Sequence, residues 1–250
     1  MSDDPSVMAR FRTFFLEPDT FFRDLAAQPP RYRWPMLIVL LAGIFSAIAA
    51  WLEANWMSSI FRPEYFGVDQ SWAFYPVILF LTVSLILVSM VVASFFIPIV
   101  AGLVFYLLAG FVSKSGSLAH TFTATCWGMI PLAVYEAVQI PLFFMFLPFM
   151  DITVSPEFIP IMNKSMSGSG LDNAMLTHMI IPNRMFIAHA LVNNGLHVVA
   201  YLCCAWFWIP AVRNTCGISH RQAIGIVLVP LILFLMFSAG PVFIRNIHYL

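Results

Sequence analysis

Glu136 stands in a long apolar stretch with Tyr135 beside it, Gln139 one turn on, and no other charge nearby. An ionised carboxylate at mid-bilayer costs about 3 kcal/mol on insertion scales, so such a group faces protein, finds a partner or keeps its proton. Further along, His189, Asn193 and His197 recur every four residues, which sets them on one helix face. If the two segments run antiparallel, Glu136 falls level with His197, and Gln139, one turn outward, falls level with Asn193 or Asn194. These five residues form a predicted intramembrane polar network. Its plainest role is interhelical hydrogen bonding that fixes helix register, at about 0.6 kcal/mol per contact. The alternative is a proton or cation relay through Glu136 and His197. His189 and His197 cannot share one metal ion, since two helical turns separate them by about 12 Å.

Other residue types offer weaker chemistry. Met150, Met162, Met166, Met175, Met179 and Met185, with His178, give soft ligands at two i, i+4 spacings, which suits Cu(I). The intervening Lys-Ser-Met-Ser-Gly-Ser-Gly run at 164–170 reads as a flexible linker, and methionine is a common gap-filler, so the copper reading is subordinate. Cys126, Cys203, Cys204 and Cys216 lack zinc-ligand or redox spacing and read as unpaired thiols in apolar segments. His-Glu-x-x-His, Gly-x-Ser-x-Gly, the phosphate-cradling glycine loop and the dinucleotide fingerprint are all missing. The expectation is a non-enzymatic protein with no catalytic residue, metal or cofactor.

The elements that must position these groups are membrane helices. Residues 70–113 contain no Asp, Glu, Lys, Arg or His, hydrophobic residues make up 61% of the chain, and mean hydropathy is +0.88. A bilayer core needs about 20 apolar helical residues and tolerates only internally bonded backbone. Twelve Lys plus Arg balance twelve Asp plus Glu, so no global field recruits nucleic acid. The lipid bilayer is the predicted partner, with a homo- or hetero-oligomer of membrane proteins left open.

The predicted fold class is all-α integral membrane, with five transmembrane helices preceded by interfacial amphipathic helices. Residues 1–33 form a cytoplasmic amphipathic segment and 34–245 a five-span domain, with approximate spans 34–54, 75–112, 123–149, 184–212 and 222–243. Asp3, Asp4, Glu17, Asp19 and Asp24 interrupt the N-terminal segment, which argues against a cleaved signal peptide. Within it, Val7, Met8, Phe11, Phe14 and Phe15 recur at helical spacing up to Pro18, and Phe21, Phe22 and Leu25 follow after an Asp19 or Thr20 cap. Such a face either lies in the membrane interface or packs under the bundle.

Span two is long enough for one helix or for a hairpin broken near Pro98, and charge decides. A single crossing puts Lys114, Arg213 and Arg221 on the side of Arg10, Arg12, Arg23, Arg31 and Arg33. Two net-acidic loops are then left outside: Glu53, Arg62, Glu64 and Asp69 in one, and Asp151, Glu157, Lys164 and Asp172 in the other. That obeys the positive-inside bias, whereas two crossings violate it. The N-terminus is therefore expected in the cytoplasm, the C-terminus outside, and the compartment is the plasma (inner) membrane of a prokaryote. Pro131, Pro141 and Pro148 are expected to bend span three. Gly43 and Ala47, with Ser46 and Ala50, set small groups four apart on span one, where internal packing is favoured over a homotypic contact.

Several local motifs occur in a telling order: Leu16-Glu17-Pro18-Asp19-Thr20-Phe21-Phe22, then Gln28-Pro29-Pro30, then the turn Ser113 to Leu118, then Gly128-Met129-Ile130-Pro131, and last Ile218-Ser219-His220-Arg221-Gln222-Ala223. Together they resemble the Yip-type domain of Ypt/Rab-interacting membrane proteins. The resemblance implies five spans and a cytoplasmic N-terminus and, in eukaryotic members, binding of prenylated small GTPases. The Asp-Leu-Tyr-Gly-Pro motif of those members is absent, and serines stand at Ser113 and Ser115 in the family's Gly-Gly-Lys-Gly-Ser turn. The chain is thus similar to the prokaryotic branch, and GTPase binding does not transfer. The expected function is a Yip-like membrane organiser or adaptor working through helix-helix or lipid contacts. The alternative is a small transporter or channel whose polar pathway centres on Glu136 and His197.

Overall fold

A computed structural model describes residues 7–60, 75–113, 116–154, 180–182 and 184–238. Lys114, the acidic loop residues from Arg62 to Asp69, the Glu157 to Met179 loop with its methionines, and the final residues of span five lie outside the described residues. The helices are α1 (Val7–Leu16), α2 (Pro18–Ala27), α3 (Arg33–Ile60), α4 (Tyr75–Gly110), α5 (Leu118–Trp127), α6 (Ile130–Phe146), α7 (Arg184–Cys216) and α8 (His220–Ser238). Among the described residues, five segments are long and apolar enough to cross a membrane: Arg33–Trp56, Ser84–Gly110, Leu118–Phe149, Arg184–Cys216 and His220–Phe237. Among the described residues the fold is all-helical apart from one small antiparallel strand pair.

That strand pair was not legible in the sequence. Strands β1 (Ile152–Val154) and β2 (Ile180–Pro182) pair antiparallel, with Ile152 opposite Pro182 and Val154 opposite Ile180. Its β-branched residues suit a pleated pair.

Span two is one helix of 36 residues that carries Pro98 inside it. It packs closely on α3, where a Cβ on Gly43 would fall 2.3 Å from Ser94 Oγ and 3.1 Å from Val91 Cα. The small face of span one therefore serves internal packing between α3 and α4. Ser94 donates to Val91 O at 2.7 Å and reaches Val39 O across the crossing at 3.3 Å, so its hydroxyl is satisfied without water.

Span three is broken rather than bent. Helix α5 stops at Trp127 and α6 begins at Ile130, with Pro131 in its first turn. Proline lacks the N–H that would continue the ladder, and it sits well at a helix start, so the interruption falls just before it. The break loosens Thr125 O from the regular pattern, and Trp208 Nε1 of α7 donates to that oxygen at 2.9 Å. Gly128 makes the approach feasible: a Cβ there would lie 2.3 Å from Trp208 Cδ1. Pro141 lies within α6, while Pro148 lies in a short 3-10 turn, Leu147–Phe149.

The turn joining α7 and α8 follows directly from its residues. Gly217 adopts φ 62°, a left-handed conformation that costs glycine little, and Ile218 N donates back to Arg213 O at 3.2 Å. Ser219 and Gln222 then cap α8 reciprocally, Ser219 N donating to Gln222 Oε1 at 2.9 Å and Gln222 N to Ser219 Oγ at 3.4 Å.

Helices α1 and α2 cover one end of the bundle. Phe14 and Phe22 have no exposed surface, Phe14 stacks on Phe207 of α7 at 4.3 Å, and Phe21 meets Trp127 of α5 edge-on at 5.1 Å. The apolar face of the N-terminal segment thus turns toward protein, leaving Phe15 and Leu16 exposed beside it. Helix α2 begins two or three residues earlier than the sequence suggests, with Glu17 at its cap position and Pro18 in its first turn. Asp19 is therefore released from capping. It pairs with Arg213 Nη1 at 2.7 Å and accepts from Asn214 Nδ2 at 3.2 Å. His120 Nε2 donates to Gln28 O at 2.9 Å, tying α5 to the same end.

Candidate functional site: a polar seam between α3, α6 and α7

Consecutive helical residues point about 100° apart, so neighbours on α6 cannot face the same partner. Tyr135 is buried and turns toward α7, where its hydroxyl donates to Asn193 Oδ1 at 3.0 Å and also lies 3.2 Å from Asn193 O. Its ring stacks on His197 at 5.0 Å, with the planes 9° apart. His197 is in turn 4.9 Å from Tyr201, which touches Phe234 of α8 at 5.2 Å. One turn further along α6, Gln139 lies beside Tyr135. Residues 135 and 197 thus share a depth across two antiparallel helices.

Glu136 takes a different direction. Among the described residues no hydrogen bond or ion pair joins it to His197; it lies instead near the hydroxyl of Ser46 on α3. Glu53 lies two turns beyond Ser46 on the same helix, close enough to act electrostatically on both Glu136 and Tyr135. The charge pattern groups Glu53 with the acidic residues of an outer loop, although the expected span 34–54 reaches past it. The helix continues to Ile60, however, and carries Glu53 within a membrane-crossing segment, so that loop assignment is corrected. The i, i+7 spacing of Ser46 and Glu53 was the available signal, since it places both on one face.

The remaining members sit apart. Asn194 Nδ2 donates to Ala190 O at 2.6 Å on its own helix, which leaves Asn193 as the asparagine that meets α6. His189 is buried near the rings of Phe143 and Phe146, at 6.0 and 5.4 Å. Three of the four cysteines are buried and Cys203 is exposed, and none forms a disulfide among the described residues. No buried side-chain nitrogen or oxygen among the described residues lacks a hydrogen-bond partner.

The sequence pattern of the Yip1 domain matches residues 12–240. This chain belongs to the Yip1 domain family. It is accordingly a multi-pass membrane protein. An uncharacterized protein of the archaeon Methanocaldococcus jannaschii is 28% identical over 127 residues, covering 50% of this chain and 82% of the archaeal one. No solved structure matches the chain. Within this Yip1 domain the short motifs have structural work to do. Gly128 to Pro131 breaks span three and admits Trp208, and Ile218 to Ala223 closes one helix and caps the next.

A groove of about 430 Å³ between α4, α7 and α8 is lined mainly by apolar side chains, with Tyr201 and Trp208 among them. None of the five polar residues named from the sequence lines it.

Proposed function

We propose that this Yip1-domain protein is a non-enzymatic organiser or adaptor, working through helix-helix and lipid contacts inside the bilayer. The observation that carries this reading is the partnering of the seam. Tyr135 donates to Asn193 with Gln139 beside it, Glu136 lies near the Ser46 hydroxyl, and His197 sits between two tyrosine rings, so these groups face protein. Neither the apolar groove nor the smaller cavity under α2 includes them in its walls. In this reading residues 1–33 act as a docked cap on the cytoplasmic face, 34–245 form the five-span domain, and the membrane is the plasma membrane of a prokaryote. Arg33, Arg213 and Arg221 lie at the helix ends nearest the docked cap, in keeping with the positive-inside bias. A reporter fused after Leu250 should read as external, and a cytoplasmic reading would reverse the orientation.

The competing reading is a small transporter. It draws support from Glu53, which brings a second carboxylate toward Glu136 within the membrane-crossing segments. Proteoliposome flux measurements across protons, metal cations and small solutes separate the two. The organiser reading expects no flux above protein-free vesicles for wild type or Glu136→Gln. A flux carried by the wild type and lost in Glu136→Gln would replace it with the transporter.

A further inference from the structure

Below the docked helices lies a cavity of about 160 Å³, enclosed by α1, α2, the opening of α3 and α5. Its floor is buried and apolar, formed by Phe21, Pro35 and Trp127, with Trp34 beside it. Its polar lining is Arg10, Thr13, Asp24, Gln28 and Arg31, of which Asp24, Gln28 and Arg31 are exposed at the rim.

We infer that this cavity binds the phosphate of an anionic membrane phospholipid. The lining holds two arginines and one aspartate, so it carries net positive charge. A guanidinium offers five donors in a planar fork that fits phosphate oxygens, and an arginine already held by one protein partner keeps donors to spare. Depth supports lipid as the source. Arg33 is the last charge before span one and Trp34 opens it, which sets the cavity at headgroup level, where indoles concentrate. Size agrees as well, because the space holds about five waters and lies below the 300 Å³ or so at which small-molecule pockets begin. A headgroup fits and acyl chains do not. The chains find exposed apolar surface within two turns, at Met36, Leu37 and Leu40 of α3. The site does not depend on the organiser reading and would stand in a transporter too.

The test uses the full chain purified in a mild neutral detergent, with thermal melting followed as phosphatidylglycerol or phosphatidylcholine is added. Phosphatidylglycerol should raise the melting temperature and phosphatidylcholine should not. Removing a charge-assisted contact weakens binding about tenfold or more, so Arg10→Gln with Arg31→Gln should shift the phosphatidylglycerol midpoint to at least that much higher lipid. Asp24→Asn should move it lower. Arg23→Gln, exposed but outside the lining, should leave it in place, which separates the cavity from diffuse attraction to basic residues. Equal response to both lipids, or an unchanged midpoint in the double variant, overturns the inference. A melting shift from glycerol 1-phosphate that equals that from phosphatidylglycerol overturns lipid as the source and leaves a soluble phosphate ester. Should the double variant not fold, the Asp24→Asn and Arg23→Gln arms decide: no gain in the first, or a loss in the second, overturns the inference.

Discussion

Where α1 and α2 dock, Phe14 and Phe22 expose nothing, every residue from Thr123 to Ile130 is buried, and Trp208 sits where any side chain on residue 128 would go. Further along the same helices, Glu136, Gln139, Asn193 and His197 are only half buried, joined by single hydrogen bonds and one ring stack. Lipid tails are as apolar as leucine, so membrane helices associate through close packing and through polar contacts. The docked end uses the first and the seam uses the second. Shape at the docked end is therefore expected to set which helices meet, while the seam adjusts how they are rotated.

The largest test of that division is at the docked end. Gly128→Ala places a methyl group 2.3 Å from Trp208 Cδ1, against a ring that is itself 3% exposed and cannot swing aside freely. Overpacking of this kind costs about 1–3 kcal/mol. Displacing the indole also strips the hydrogen bond from Thr125 O, adding about 1 kcal/mol. Thermal melting in detergent should fall by several degrees, while Gly225→Ala, where nothing lies within 4 Å, should not lower it. If the two alanines behaved alike, close packing at the break would not be what holds this end.

The seam should respond far less. Tyr135→Phe keeps the ring on His197 and removes only the hydroxyl that reaches Asn193. Measured couplings between membrane helices average about 0.6 kcal/mol and reach about 1.7. A double-mutant cycle of Tyr135→Phe with Asn193→Ala should return a coupling in that range. A value near zero would mean that ring stacking alone sets the register; one well above it would give the seam a share in stability that the comparison assigns to the docked end.

How much of this was readable beforehand follows from what each feature depends on. Span number and class rest on composition and length, as with the uncharged stretch 70–113, and these are properties of sequence alone. The depth at which α6 meets α7 also follows from span lengths, because rise per residue is fixed. Rotation of each helix about its own axis does not follow, and the two helices around Glu136 show why. One step along α6 exchanges a partner on α7 for one on α3, so placing Tyr135 rather than Glu136 against His197 required tertiary packing. The Gly128 break was half legible: Pro131 pointed to the distortion and its place, but the indole that packs into it belongs to Trp208, which lies far away in sequence. Glu53 was misplaced because a carboxylate near a span end reads as loop unless the helix is known to continue.

The smallest effect separates docking by shape from docking by charge. Asp19 and Arg213 approach to 2.7 Å, yet their side chains are 58% and 41% exposed. Exposed pairs contribute about 0.2–1 kcal/mol and are screened by salt. Asp19→Asn should therefore leave α1 and α2 seated, with at most a slight rise in hydrogen exchange at α2 that disappears at high ionic strength. Phe14→Ala should instead raise exchange across both helices at any salt, because it removes a ring with no exposed surface from between Phe207 and Trp127. Detachment by Asp19→Asn alone would make the cap a charge-held lid, and the aromatic contacts beneath it would then be filling rather than fastening.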